Sequence, residues 1–168
     1  GSLDYVFSQW SVDPSSVEGL HETYDLPNRQ VLHATVDHGL PTTFWRSVGH
    51  SYTAFAVESM MDELAEKAAM DPIAFRLKNT EGKPRMHRVL QRTAELMADY
   101  ETPKGRSLGV ACHSAFFTDV AQIAEVSVSD TGHIRVHRVT CVADVGTAVN
   151  PDIVRAQLEG AVMFALTA

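Results

Sequence analysis

"AEVSVSDTGHIRVHRVTCVA", residues 124–143, decides the fold class. Ala124, Val126 and Val128 alternate with Glu125, Ser127 and Ser129, the two-residue period of a strand with one buried face, so Glu125 is expected to face solvent. Asp130-Thr131-Gly132 fits a three-residue hairpin loop with glycine in the left-handed position. The chain then returns as the partner strand. Its phase slips, because Ile134 and Val136 fall on one face while Val139 and Cys141 fall on the other. A bulge at His137-Arg138 reconciles the two halves.

Upstream, "LGVACHSAFF" (108–117) reads as a further strand. Before it, "ETPKGRS" (101–107) is a linker across which the apolar period changes from about 3.6 residues to 2. The earlier region is helical. Val57, Met60, Met61, Leu64, Ala65 and Ala68 form one stripe of a helix over about 52–69, with Glu58, Asp62, Glu66 and Lys67 away from it. Ser51 or Thr53 is placed to cap its first turn. Asp71-Pro72 starts a short helix, and a third spans about 86–100, with Val89, Leu90, Thr93, Leu96 and Met97 on one side. Residues 3–43 are weakly patterned, and Arg29–His38 is the best strand candidate there. Downstream, Asn150 caps and Pro151 opens a last helix over 151–166, with Asp152 where the helix dipole favours an anion. Helices followed by a hairpin imply an α+β fold, with helices packed on an antiparallel sheet.

The 168 residues carry a net charge of -7, which argues against a nucleic-acid partner. Two cysteines make neither a disulfide scaffold nor a CxxC metal site. No apolar run approaches the roughly 20 residues that span a membrane. Gly1-Ser2 reads as a vector-derived remnant. "EGAVMFALTA" ends apolar and helical without a stop, so both ends are expected to be cuts in a longer polypeptide. A polypeptide with such an end is expected to expose an apolar patch and to pair as a homodimer.

Several clusters invite chemistry. His133 and His137 would suit a metal at helical spacing, but on a strand they stand about 13 Å apart. Cys112 and His113 are strand neighbours that point to opposite faces, which argues against a nucleophile–base pair. "FWRSVGHS" (44–51) concentrates two aromatics, Arg46, a glycine and a histidine at a helix start. In the last helix Gln157, Gly160 and Phe164 share one face. A glutamine beside a missing side chain suits the edge of a heterocycle, or equally a neighbouring loop.

Residues 44–80 and 109–160 together resemble the molybdopterin-binding large subunit of the xanthine oxidase family, and within it the bacterial isoquinoline-oxidising and aldehyde-oxidising subunits. The resemblance implies a molybdenum ion on a molybdopterin, in bacteria the cytosine dinucleotide form. It implies hydroxylation of a carbon beside a heteroatom with water as oxygen source. It also implies a separate small subunit carrying two 2Fe-2S clusters. The location, cytoplasmic or periplasmic in a bacterium, stays open. By the family pattern Arg46 lies in the loop packed against the molybdenum centre, braced by Phe44 and Trp45. Val48 occupies a position that carries a substrate-facing aromatic, and Gln157 matches the glutamine that hydrogen-bonds the pterin. The chain lacks the family's "GVGEP"-like segment with its catalytic glutamate, and its "GGxFG" and "MGQG" loops. Glu159 belongs to a different motif. No catalytic residue is therefore assigned. Residues 1–168 are expected to be an inert fragment of the cofactor-binding domain, the alternative being a non-catalytic α+β module on the same scaffold.

Overall fold

Helix α1 (His50–Lys67) buries His50, Thr53, Glu58, Met61 and Ala65, a stripe rotated from the one the apolar residues suggest. Met60 is 52% exposed, whereas Glu58 is buried. The reason is a buried partner: Arg76 on α2 (Pro72–Lys78) donates from Nε to Glu58 Oε2 at 3.0 Å. The computed structural model describes residues 14–34, 36, 39, 40, 43 and 45–167. Phe44 and Gly1-Ser2 lie outside the described residues.

Caps follow local chemistry in two of three places. Asp71 Oδ1 accepts from the backbone N–H of Ile73 and Ala74, and Asn150 Oδ1 from Asp152 and Ile153. At α1 the N-cap is Gly49, without a side-chain bond. Ser51 and Thr53 lie inside the helix and turn back instead. Ser51 Oγ reaches Val48 O at 3.1 Å, and Thr53 Oγ1 sits 2.5 Å from Glu18 O. Neither caps, because the Ser51 hydroxyl is drawn to a carbonyl of the turn just before the helix and the Thr53 hydroxyl to Glu18 O of the segment that crosses the helix start.

After α3 (Pro84–Met97) come β1 (Ser107–Ala115), β2 (Thr118–Val128) and β3 (Ile134–Asp144), an antiparallel meander in the order β1-β2-β3. The expected loop at 130–132 is present: Gly132 has φ 80° and its N–H bonds Ser129 O at 2.8 Å. Glu125 pairs with Arg138 but Val126 with Val136, so His137 is the extra residue of a bulge. The β1–β2 connection is tighter than expected. Ala115 pairs with Thr118, leaving Phe116 and Phe117 as a two-residue turn with φ 47° and 62° rather than strand residues. Two positive φ values match the twist of the flanking strands.

Asp119, Ala121, Ile123 and Glu125 of β2 alternate as buried residues on the helix-covered face. Glu125 is thus buried and not solvent-facing, because Tyr100 and Arg106, in the connection between α3 and β1, close over its carboxylate. The core is Tyr24, Met61, Met86, Val89, Leu90, Cys112 and Ala121. Each large apolar side chain there contributes about 1.5–3 kcal/mol by leaving water. The strand expected over Arg29–His38 does not form in its described part, residues 29–34 and 36. The free edge of β1 is already covered: Cys112 N–H donates to Glu58 Oε2 and Ser114 N–H to Thr23 Oγ1. Helix α4 (Pro151–Ala165) buries none of its residues. No helix among the described residues is long and apolar enough to cross a membrane.

Candidate functional site

Trp45 to Gly49 forms a tight turn into α1, with Val48 N–H bonded to Trp45 O at 3.1 Å. Ser47 and Val48 have φ 71° and 51°. A β-branched residue in the left-handed region is a genuine outlier, worth roughly 1–3 kcal/mol of strain. Gly49 shows what holds it. A Cβ on Gly49 would lie 2.0 Å from Ser15 O, so only glycine allows the crossing segment to press on the turn.

The turn presents Trp45 and Arg46 to α4. The Trp45 and Phe164 ring centroids are 5.6 Å apart, and the Arg46 guanidinium lies 4.4 Å from the Phe164 centroid. A cation over an aromatic face is held by the ring quadrupole. Phe164 is seven residues beyond Gln157, two helical turns or about 10 Å along the same face. Segments more than a hundred residues apart therefore share one face of α4. Gln157 is exposed, and its carboxamide has no hydrogen-bond partner among the described residues. Gly160, between Gln157 and Phe164, has only open space where a Cβ would be. The guanidinium N–H groups of Arg46 likewise meet no acceptor among the described residues. Val48 is half-buried in the turn.

This donor set fits a pterin. A cation and a carboxamide with unused donors flank a position that lacks a side chain, and a ring edge rich in oxygen and nitrogen needs such donors. Two clefts, of about 450 and 610 Å³, lie elsewhere, and neither is lined by Arg46, Val48 or Gln157.

Three polar clusters went unforeseen. Glu58 accepts from Arg76, from Tyr24 OH at 2.5 Å and from Cys112 N–H at 2.7 Å. Burial, then the neighbouring Glu58 charge, pushes the Cys112 thiol up to about 12. Burial also raises the Tyr24 phenol. Cys112 is a buried core thiol. Arg85 of α3 donates to Asp144 Oδ1 at 2.9 Å and lies 3.4 Å from Asp119, which ties the strand ends to the helix layer. That bond, with the Gly146 N–H, holds the Asp144 carboxyl down to about 2. His50 Nδ1 lies 2.9 Å from His113 Nε2. The contacts in these clusters join residues 18 to 88 positions apart, beyond the reach of any local pattern. His137, half-buried in the bulge, bonds Ser127 Oγ at 2.8 Å, while His133 lies in the hairpin loop.

Residues 46–168 match a family model described as a molybdopterin cofactor-binding domain, and residues 7–80 match a second of the same description. The chain belongs to this molybdopterin-binding family of the xanthine oxidase type. It is 31% identical over 169 residues to the beta subunit of the isoquinoline 1-oxidoreductase of Brevundimonas diminuta, an alignment covering 97% of this chain and 22% of the relative. It is 31% identical over 159 residues to a subunit of the nicotinate dehydrogenase of Pseudomonas putida, 83% of this chain and 13% of the relative. It is 29% identical over 143 residues to a membrane-bound aldehyde dehydrogenase (pyrroloquinoline-quinone) of Gluconacetobacter polyoxogenes, 73% of this chain and 18% of the relative. The chain thus spans less than a quarter of each relative's length. These relatives are oxidoreductases, two of them named as subunits. The third carries a different cofactor in its name.

Proposed function

We propose that this chain forms part of the cofactor-holding wall of a molybdenum hydroxylase subunit, with Arg46 and Gln157 approaching the molybdopterin together and Val48 beside the substrate. The observation that carries this is the Arg46–Phe164 stack, which sets two groups with unused donors on one face of α4. When bound, the cofactor supplies the redox centre that takes up the substrate's electrons. The chain's residues supply hydrogen bonds and a positive charge. In the full-length protein the cofactor is the cytosine dinucleotide form. The substrate is an N-heterocycle of the isoquinoline kind or an aldehyde, and electrons pass to a small subunit with two 2Fe-2S clusters. The 168 residues alone are inert, because a general base is needed to activate water and none is assigned here.

The test is the molybdenum content of purified full-length Arg46→Ala and Gln157→Leu subunits, read beside their melting temperatures. Leaving cofactor acceptors unpaired costs about 1–3 kcal/mol per group, so metal content should fall while melting changes little. The alternative, a non-catalytic module on this scaffold, requires unchanged metal content in both variants.

A further inference from the structure

The start of α1 is pinned by two histidines. His50, its first residue, is 8% exposed. Its Nδ1 lies 2.9 Å from His113 Nε2 on β1, and the rings meet edge to face with centroids 5.0 Å apart. The Phe116 ring closes another side of His50 at 5.1 Å. Gly19 lies against the pair, since a Cβ there would come within 2.8 Å of His113 Cε1 and 3.0 Å of His50 Nδ1. Two polar atoms here are buried without a hydrogen-bond partner among the described residues, His113 Nδ1 and Glu18 Oε2. Glu18 Oε2 is 3.9 Å from His50 Nε2.

A neutral imidazole has one donor and one acceptor nitrogen, and a charged one has two donors. The Nδ1–Nε2 contact therefore works with both rings neutral or one charged. With both charged, N–H faces N–H and the contact fails. The other charged groups around the pair are Glu18 and Glu22 of the crossing segment, Lys83 and Arg85 at the start of α3, and Asp119 of β2. Burial, then the nearby His50, holds His113 below the ordinary histidine value. A depressed value means that the contribution of neutral His113 is complete above about pH 6.5 and is lost as pH falls.

Val48, two residues before His50, sits at φ 51° and Ser47 at 71°. Such conformations persist only where the surroundings over-determine them. We propose that His50 and His113 are positioning residues for the Ser47–Val48 turn, holding it and Arg46 against α4 only while no more than one of the two rings is charged. The consequence for a cofactor rests on the function proposed above; the latch itself does not.

The experiment therefore uses the 168-residue chain without cofactor. 5-Fluorotryptophan is placed at Trp45 in a Trp10→Phe background, Trp10 lying outside the described residues. Its 19F resonance senses the Phe164 ring, 5.6 Å away. Histidine side-chain nitrogens are followed in the same samples from about pH 8 to about pH 4.5, the range where histidine charges. The Trp45 resonance should shift as the second ring charges. In His113→Gln, whose amide bonds His50 in either state, it should stay at the high-pH position throughout. In His113→Leu it should sit at the low-pH position throughout. If the resonance does not move while both histidines titrate, or moves equally in His113→Gln, the proposal is overturned. His113→Gln decides alone if His113→Leu does not fold. Because no cofactor is present, failure here leaves the molybdenum measurement standing, and failure there leaves this one.

Discussion

Arg76→Met tests the least expected part of the core. Arg76 is 0% exposed. Its Nε donates to Glu58 Oε2 at 3.0 Å, its Nη2 to Glu58 O at 3.2 Å, and its Nη1 to Pro72 O at 3.2 Å. The contact of Nη1 with Asp62 at 2.7 Å involves a half-exposed carboxylate and adds little. Methionine fills much of the same volume but removes the charge, so Glu58 stays buried as an anion. Breaking one side of a buried ion pair costs about 3–5 kcal/mol. Tyr24 OH and Cys112 N–H still donate to Glu58, which places the loss near the low end, about 3 kcal/mol. For a chain of this size that is a drop of about 6–12 °C in melting temperature. Urea unfolding followed by circular dichroism reads the change. Glu58→Gln in the Arg76→Met background removes the stranded charge and keeps an acceptor, so it should recover about 1 kcal/mol or more of the loss. A loss below about 1 kcal/mol for Arg76→Met at unchanged m value, or no recovery in the double variant, refutes the reasoning.

Three further outcomes follow from the same geometry. The Asp144 carboxyl is held to about 2 by Arg85, so its contribution is present above the ordinary aspartate value and fades as pH falls from about 5 toward 2. The stability difference between wild type and Asp144→Asn should shrink over that range in acid titrations of unfolding. Cys112, with its thiol raised by burial, should resist iodoacetamide at pH 8 until the chain unfolds, while half-buried Cys141 reacts first. The chain should self-associate through apolar surface on and before α4, where Val149 is 94%, Ile153 59% and Met163 63% exposed. A monomer in sedimentation equilibrium at high concentration would refute this.

Local sequence determined what depends on neighbours in the chain. The 124–143 hairpin, its three-residue loop and its bulge were legible because a two-residue period and one glycine specify them. The caps at Asp71 and Asn150 were legible because a cap needs only the next three residues. The two segments bearing Arg46 and Gln157 stood out from their residue content and family resemblance. What tertiary structure alone decided was which polar groups are buried. Glu58 and Glu125 sit where a surface charge belongs by period, and both are buried because Arg76, Arg106 and Tyr100 arrive from other elements to satisfy them. The same holds for Arg46 on Phe164 and His50 on His113. Partners 63 and 118 positions apart leave no periodic trace, because they meet only when β1 and α4 are brought to the start of α1.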